Sequence, residues 1–217
     1  MTDFATARRN MVASQVRTDD VTDARLQDAM IALPRQVFVP PAAQALAYAS
    51  QSISLGGGRA LMEPRSLAKL AQAAAIRKTD EVLVIGAATG YDAAVLSKLA
   101  AAVVALEEDP GLAAEAQRHF VDLGLDNAAV VTGPLPDGYP DQGPYDVIFI
   151  DGGIEELPQG LVAQLKDGGR LATIEMDGPL GKARIYRKVS GTISGRTVFD
   201  ATAPVLPGFA RARVFAL

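Results

Sequence analysis

A doubly wound α/β sheet, mostly parallel, finished by antiparallel strands and preceded by a helical extension, is the fold this sequence predicts. Three observations predict it. From residue 81 onward, short apolar runs alternate with segments of helical period, the pattern of successive βαβ units. The runs VLVIG (82–86) and VIFID (147–151) are almost wholly apolar, as strands become when helices cover both faces. VLVIG also passes straight into the glycine turn GAATG (86–90) and then into an apolar helix, the corner at which such sheets receive ligands.

Up to about residue 77 the pattern is mostly helical. Thr22 or Asp23 can cap a helix carrying Leu26, Met30 and Leu33, which Pro34 stops. A second helix is expected from Pro64 or Arg65 to about Arg77, with Leu67, Leu70 and Ala71 on one face. Between them ISLGGGRALMEP (53–64) has three consecutive glycines and no period. It reads as a loop, and its permissive backbone suits a segment that faces a ligand. Strands are expected at 82–86, 102–107, 128–132, 146–151 and 169–175, separated by helices near 90–100, 110–123 and 157–166. Asp109 caps DPGLAAEAQRHF with Pro110 at the first helical position, and Gly124 is placed to end that helix. Beyond residue 180, ARIYRKVSGTISGRTVF (183–199) alternates as an antiparallel hairpin or meander does, and a last strand is expected near 211–216. Residues 1–77 then form a helical extension with its loop and residues 78–217 a nucleotide-binding core, read together as one domain of 217 residues.

The composition, 49% apolar and 21% charged, is globular, with no repeat or low-complexity run. Scattered basic residues, 21 Lys+Arg against 25 Asp+Glu, leave a net charge of −4 and no electrostatic footprint for nucleic acid, so the partners expected are small molecules or proteins. The start MTDFATARRNMVASQ has no apolar signal core, and no run approaches the roughly 18 residues of a membrane span. A cytoplasmic location is the expectation, with no membrane partner; oligomeric state is not legible. The absence of cysteine excludes disulfides and thiolate chemistry, and a single histidine argues against a metal site.

A dinucleotide fingerprint would place glycines at 86, 88 and 91, but the chain has Gly86, Ala88 and Tyr91, so only the first fits. Gly86, Ala87, Ala88, Thr89 and Gly90 match better the G-x-G-x-G turn that holds a nucleoside without a pyrophosphate, and S-adenosylmethionine is the natural candidate. The second strand ends in VVALEED. Its Glu107, 21 residues beyond Gly86, can accept from two ribose hydroxyls, and Glu108 is the adjacent alternative; a solvated strand end is the plainer reading of both. Asp151 ends a buried strand at the same edge, where it can hold the cofactor's amine or the acceptor, or simply begin an Asp-Gly-Gly turn. His119, at the edge of a stripe of Leu112, Ala116, Phe120 and Leu123, reads as packing.

With these residues placed, the chain resembles the protein-L-isoaspartate O-methyltransferase family, as a divergent member, over nearly its whole length. The likeness is carried by LQDAMIALPRQVFVP (26–40), LAYASQSISLGGGRALMEP (46–64), VLVIGAATGYDAAVLSKLA (82–100), VVALEEDPGLAAEA (103–116) and GYPDQGPYDVIFIDGGIEELPQGLVAQLKDGGRL (138–171). It implies a Rossmann-like S-adenosylmethionine-dependent methyltransferase fold. It also implies protein repair by methyl transfer from S-adenosylmethionine to the α-carboxylate of an L-isoaspartyl or D-aspartyl residue. More broadly the acceptor is a protein or small-molecule carboxylate or hydroxyl. Such transfer asks mainly for alignment and exclusion of water.

Four departures from the family pattern stand out. Val84 replaces an acidic residue before the turn, and Ala88 replaces the central glycine, at the cost of a methyl's clearance if its φ is negative. After the third strand Gly133, Pro134 and Leu135 replace Gly-Asp-Gly, which removes a carboxylate from the adenine amino group. In the substrate loop, Ala60, Leu61, Met62, Glu63 and Pro64 replace Thr-Ile-Ser-Gln-Pro. An ionised Glu63 facing the site would repel a carboxylate acceptor by roughly 1–4 kcal/mol at about 4 Å; alternatively Met62 packs and Glu63 points to water. Arg59 and Arg65, which flank the loop, either attract an anionic acceptor or are solvated charge. Two competing readings are a scaffold that kept the fold without the cofactor, suggested by Ala88, Met62, Pro134 and Leu135, and a dinucleotide oxidoreductase, disfavoured by Tyr91.

Overall fold

The computed structural model describes residues 3–212. Two strands, β1 (Ile53–Gly56) and β2 (Arg59–Leu61), pair antiparallel. The main sheet contains β3 (Glu81–Ile85), β4 (Ala102–Glu107), β5 (Ala128–Thr132), β6 (Tyr145–Ile154), β7 (Leu165–Asp177), β8 (Leu180–Val189) and β9 (Thr192–Asp200), in the spatial order β5-β4-β3-β6-β7-β8-β9. β3 to β7 are mutually parallel, and β7, β8 and β9 form an antiparallel meander. Strand order reverses at β3, which has β4 on one side and β6 on the other, so the crevice opens at the carboxyl ends of these three strands.

The helices are α1 (Phe4–Met11), α2 (Ala24–Ala32), α3 (Pro64–Ala74), α4 (Tyr91–Ser97), α5 (Pro110–Asp122) and α6 (Gln159–Ala163). α1 continues through a π turn at Val12–Val16 and a 3₁₀ turn at Arg17–Asp19, ending where Asp20 takes φ 61°. Aspartates cap three of the helices. Asp3 accepts from Thr6 N at 3.0 Å, Asp23 from Arg25 N at 2.9 Å, and Asp109 from Gly111 N and Leu112 N at 2.7 and 3.0 Å. α5 ends as expected, with Gly124 in the left-handed region at φ 61°.

Long helices cover only one face, contrary to the symmetric cover that the apolar strands suggest. α1 to α5 pack with Val82, Val84, Val103, Val147 and Phe149. On the other face Leu83, Ile85, Leu106, Ile148 and Ile150 are sealed by Leu135 of a 3₁₀ turn, Leu161 of α6, and Leu206 and Phe209 of the C-terminal segment. The helix expected at 157–166 is held to five residues because Leu165 already pairs with Tyr145, and Tyr145 N donates to Gln164 O at 2.8 Å.

Two further expectations change. Residues 53–64 are not a featureless loop: Ile53 pairs with Leu61 and Ser54 with Ala60 across a tip where Gly56, Gly57 and Gly58 take φ of 87°, 56° and 77°. The glycines that obscure any period are what allow so tight a reversal. The strand expected near 211–216 lies outside the described residues except for Arg211 and Ala212, which are not in a strand. Instead, residues 203–209 lie across the end of β6. Val205 bridges in parallel to Gly153, Gly153 N donates to Pro204 O at 2.8 Å, and Leu206 N donates to Gly153 O at 2.9 Å. No helix among the described residues is long and apolar enough to cross a membrane.

This strap is a structural part of the second face, because Phe209 is only 1% exposed. Phe209→Ala should therefore lower unfolding free energy by about 3–5 kcal/mol. Urea denaturation checks this, and a loss below about 1 kcal/mol would show that the strap carries none of the core.

Candidate active site

β3 delivers Gly86 to the crevice, where Gly86 N and Ala87 N both donate to Leu106 O at 2.9 and 3.1 Å, binding the turn to the end of β4. The turn has three residues in the left-handed region: Gly86 at φ 79°, Ala88 at φ 48° and Gly90 at φ 94°. The condition under which Ala88 replaces glycine at little cost is thus not met, and its Cβ sits in a backbone conformation that costs a non-glycine residue about 1–2 kcal/mol. Thr89 Oγ1 donates to Phe38 O at 2.7 Å, and His119 Nδ1 reaches Thr89 O at 2.9 Å, which makes that nitrogen the donor. His119 also packs on the Phe38 ring, 4.7 Å between centroids. It braces the turn from behind.

Glu107, at the end of β4, is fully buried and accepts four hydrogen bonds. Oε2 accepts from Ala88 N and from Arg59 Nη2, both at 2.7 Å, and Oε1 from Glu108 N and Asp109 N, both at 3.0 Å. A solvated strand end is excluded for Glu107, and solvated loop charge is excluded for Arg59, which is 6% exposed and forms a buried ion pair across 48 positions of sequence. Glu108 contributes its amide to this arrangement and lines an outer groove of about 320 Å³ with Leu55, Gly57, Asp109 and Pro207. Gly133 N donates to Glu107 O at 3.2 Å; Pro134 beside it is exposed and Leu135 is in the core, so neither presents a polar side chain to the crevice.

Asp151 lies in the body of β6, so the Asp-Gly-Gly turn is overturned. Gly152 and Gly153 have another purpose: a Cβ on Gly152 would lie 2.5 Å from Leu206 Cδ2, and one on Gly153 2.8 Å from Ala203 O. They are the floor on which the C-terminal strap rests. Leu206 also covers the cofactor turn, with Cδ1 2.8 Å from where a Cβ on Gly86 would be.

Asp92, which the sequence reading passed over, is buried beside Asp151 on the first turn of α4. Apart from the partner carboxyl itself, neither Asp92 oxygen, nor Asp151 Oδ1, has a donor among the described residues. Two carboxyls so placed share a proton. Burial, and then the neighbouring Asp92 charge, raise Asp151 well above the carboxylate range, so Asp151 keeps the proton and donates to Asp92. Burial lifts Asp92 to about 6, opposed by that hydrogen bond and by the Arg35 charge. Tyr91 is pushed up to about 12 by burial, its hydroxyl without a partner among the described residues, with the Arg35 guanidinium 4.7 Å from its ring centroid. An acidic residue on an otherwise apolar helical face directly after the glycine turn is the signal that could have drawn attention to Asp92.

The substrate-loop residues separate. Met62 is buried in the core, and its carbonyl accepts from the buried Arg35 Nη2 at 2.6 Å. Glu63 stays outside, accepting from Ser50 Oγ at 3.0 Å and Ser66 Oγ at 3.2 Å. Pro64 opens α3, and Arg65 pairs with Asp19. Glu63, Arg65, Ser52 and Lys182 border a cleft of about 600 Å³. Ser52 also lines a small cavity of about 10 Å³ with Met62, Asp151 and Leu206. Among the described residues no group of three His, Asp or Glu side chains is placed to hold a metal ion.

The donor set fits S-adenosylmethionine in its chemistry. Glu107 can accept from a ribose, and the unsatisfied oxygens of Asp92 and Asp151 can accept from an ammonium. The volume beside the turn is held by Arg59 and Leu206, and both must withdraw to admit a nucleoside.

The family model described as protein-L-isoaspartate(D-aspartate) O-methyltransferase matches residues 7–199. The protein-L-isoaspartate O-methyltransferase of Koribacter versatilis is 36% identical over 200 residues, covering 92% of this chain and 90% of that protein. That of Methylorubrum extorquens is 35% identical over 199 residues, covering 92% and 85%. A solved protein-L-isoaspartate O-methyltransferase superposes with a TM-score of 0.81 at 26% identity, over 93% of this chain and 66% of that one. A Plasmodium falciparum structure of the same description, in complex with S-adenosyl-L-homocysteine, shares the fold at TM-score 0.76 and 17% identity, over 95% and 99%. Neither the scaffold nor the oxidoreductase reading is favoured by these likenesses.

Two stability measurements test this geometry. Replacing Ala88 with glycine relieves the left-handed strain but frees the unfolded chain, for a net gain of about 0.5–1 kcal/mol; a loss would contradict the conformation at this turn. Asp92 is raised in the folded state, from 3.8 to about 6, so its stabilising contribution is complete below about pH 4 and is lost as pH rises through about 6. Asp92→Asn should therefore gain on the parent protein as pH increases, by about 2–3 kcal/mol at pH 8. Thermal melts from pH 4 to 8 check the trend, and a difference independent of pH would refute it.

Proposed function

This chain belongs to the protein-L-isoaspartate(D-aspartate) O-methyltransferase family, and we propose that it transfers a methyl group from S-adenosylmethionine to a carboxylate on a damaged protein. The observation that supports this most directly is the set of buried acceptors at one corner, with Glu107 at the end of β4 and the Asp92–Asp151 pair beside the β3 turn. A positively charged ligand with a diol and an amine satisfies them; a dinucleotide's pyrophosphate would meet carboxylates instead.

S-adenosylmethionine, when bound, supplies a methyl group on a sulfonium that a carboxylate oxygen can attack without prior activation. The protein's own residues then have three tasks. Glu107 orients the ribose side; Asp92, ionised while Asp151 keeps the shared proton, faces the amine. The core-packed Met62 keeps water from the corner. The acceptor enters by the 600 Å³ cleft, whose polar wall of Ser50, Ser52, Ser66 and Thr202 suits a peptide backbone. Glu63 is tied to two hydroxyls at the rim, so its charge is directed at Ser50 and Ser66 rather than at the reacting carboxylate. The proposal includes a cytoplasmic setting and assigns no role to nucleic acid.

Incubation with radiolabelled S-adenosylmethionine and an isoaspartyl hexapeptide should yield a base-labile methyl ester on the peptide, with none on the ordinary aspartyl isomer. Glu107→Ala should weaken S-adenosylhomocysteine binding by about 1–3 kcal/mol in calorimetry. Absence of saturable cofactor binding at millimolar concentration would end this proposal.

A further inference from the structure

We propose that Arg59 is a two-position arginine: it occupies the ribose-binding oxygen of Glu107 in the closed corner, and is released to grip the acceptor's carboxylate when a nucleoside takes its place. Cofactor and anionic acceptor then bind cooperatively. The inference rests on the methyltransferase reading above and gives it a specific order and substrate charge.

Glu107 accepts from four donors, which fill the roughly four lone-pair sites of a carboxylate. A ribose diol must therefore displace one. Three of the donors, Ala88 N, Glu108 N and Asp109 N, are main-chain amides of the corner itself. Arg59 is the fourth, the one side-chain donor, and it arrives from the separate β1–β2 hairpin. It is the donor that can leave while the corner stays folded.

The hairpin is built to let it go. At Gly56, Gly57 and Gly58 an added Cβ would meet nothing within 4 Å, so the tip stands clear of the rest of the protein. The anchors are side chains below the tip, with Ile53 and Leu61 in the core and Leu55 half-buried against it. The guanidinium is also half-used already. Nη2 holds Glu107, whereas Nη1 is buried with no partner among the described residues.

What draws Arg59 away follows from charge. Freed from Glu107, a buried guanidinium without a counter-ion is strongly unfavourable. The other charges around it do not replace Glu107. Arg35 is a cation, Asp151 keeps its proton, and the ionised Asp92 is the group proposed to face the cofactor's amine. Glu108, Asp109 and Glu115, which border the outer groove with Arg59, are solvent-facing charges whose attraction is screened. Arg59 itself lines the outer groove, but its neighbours Gly58 and Ala60 line the small cavity that shares Ser52 with the cleft. A carboxylate arriving there supplies the missing anion, and a guanidinium fork matches its geometry. An anionic acceptor therefore lowers the cost of admitting the nucleoside, and linkage makes the effect reciprocal.

The test is calorimetric titration of S-adenosylhomocysteine into the full-length protein. It is run alone, with a saturating isoaspartyl hexapeptide, and with the same peptide carrying an amide in place of the isoaspartyl carboxylate. The carboxylate peptide should tighten nucleoside binding at least fivefold and the amide peptide by less than twofold. Arg59→Gln, with no cation to displace, should bind S-adenosylhomocysteine at least tenfold tighter than the parent in the absence of peptide, and the peptide effect should disappear. Equal affinities for parent and variant, or an identical response to both peptides, would overturn the two-position arginine and leave the methyltransferase reading standing. No nucleoside binding by either protein would overturn both. The three titrations of the parent protein decide the matter alone if Arg59→Gln does not fold.

Discussion

The buried pair between Arg59 and Glu107 is the interaction on which the arrangement of the crevice depends. Glu107 gathers amides from the β3 turn and from the start of α5's cap, so one carboxylate sets the spacing of two strand ends. Arg59 then ties a hairpin from the N-terminal third of the chain onto that carboxylate. Neither charge is tolerable there alone. Removing one member of such a pair typically costs 3–5 kcal/mol, because the survivor is left buried and unpaired. Stability of the closed corner and accessibility of the corner to a nucleoside are thus opposed, and a single guanidinium mediates between them.

The fold was legible in the sequence wherever the determinants are local. Strand period, the proline and aspartate at the start of α5 and the glycine after it act over a few residues, and those elements match the structure closely. Glu107 was legible too, since its place at the end of a strand after a glycine corner is fixed by connectivity. Arg59 was not. Nothing within GGGRALM distinguishes an arginine that will be buried from one that will be solvated, and its partner lies 48 positions away. Asp92 was missed for the same reason: an acidic residue in a helix's first turn is ordinary until a second carboxyl, Asp151, is brought against it from another strand. The conformation of Ala88 was also invisible, because a positive φ at a residue with a Cβ is imposed by the surrounding turn and not preferred by the residue itself.

The divergent positions have a common physical logic. Val84, where the family carries an acid, is packed in the helical-side core, and Asp92 provides an acidic group on the same helix-facing side of the corner. Met62, where the family carries a serine, fills core volume and offers its carbonyl to Arg35, whose ring partner Tyr91 stands next to Asp92. At both positions the side chain has become apolar packing.

The strap over β6 has a consequence for how the protein comes into being. The buried residues of the helical face run as far along the chain as Ile185, whereas the opposite face waits for Leu206 and Phe209. Their pairing with Gly153 spans about fifty positions, a long-range closure of the kind that comes late in folding. On a translating ribosome the glycine floor and its apolar strands stay uncovered until residues 203–209 have emerged, so a chain cut short before residue 203 exposes an aggregation-prone surface and never assembles the crevice.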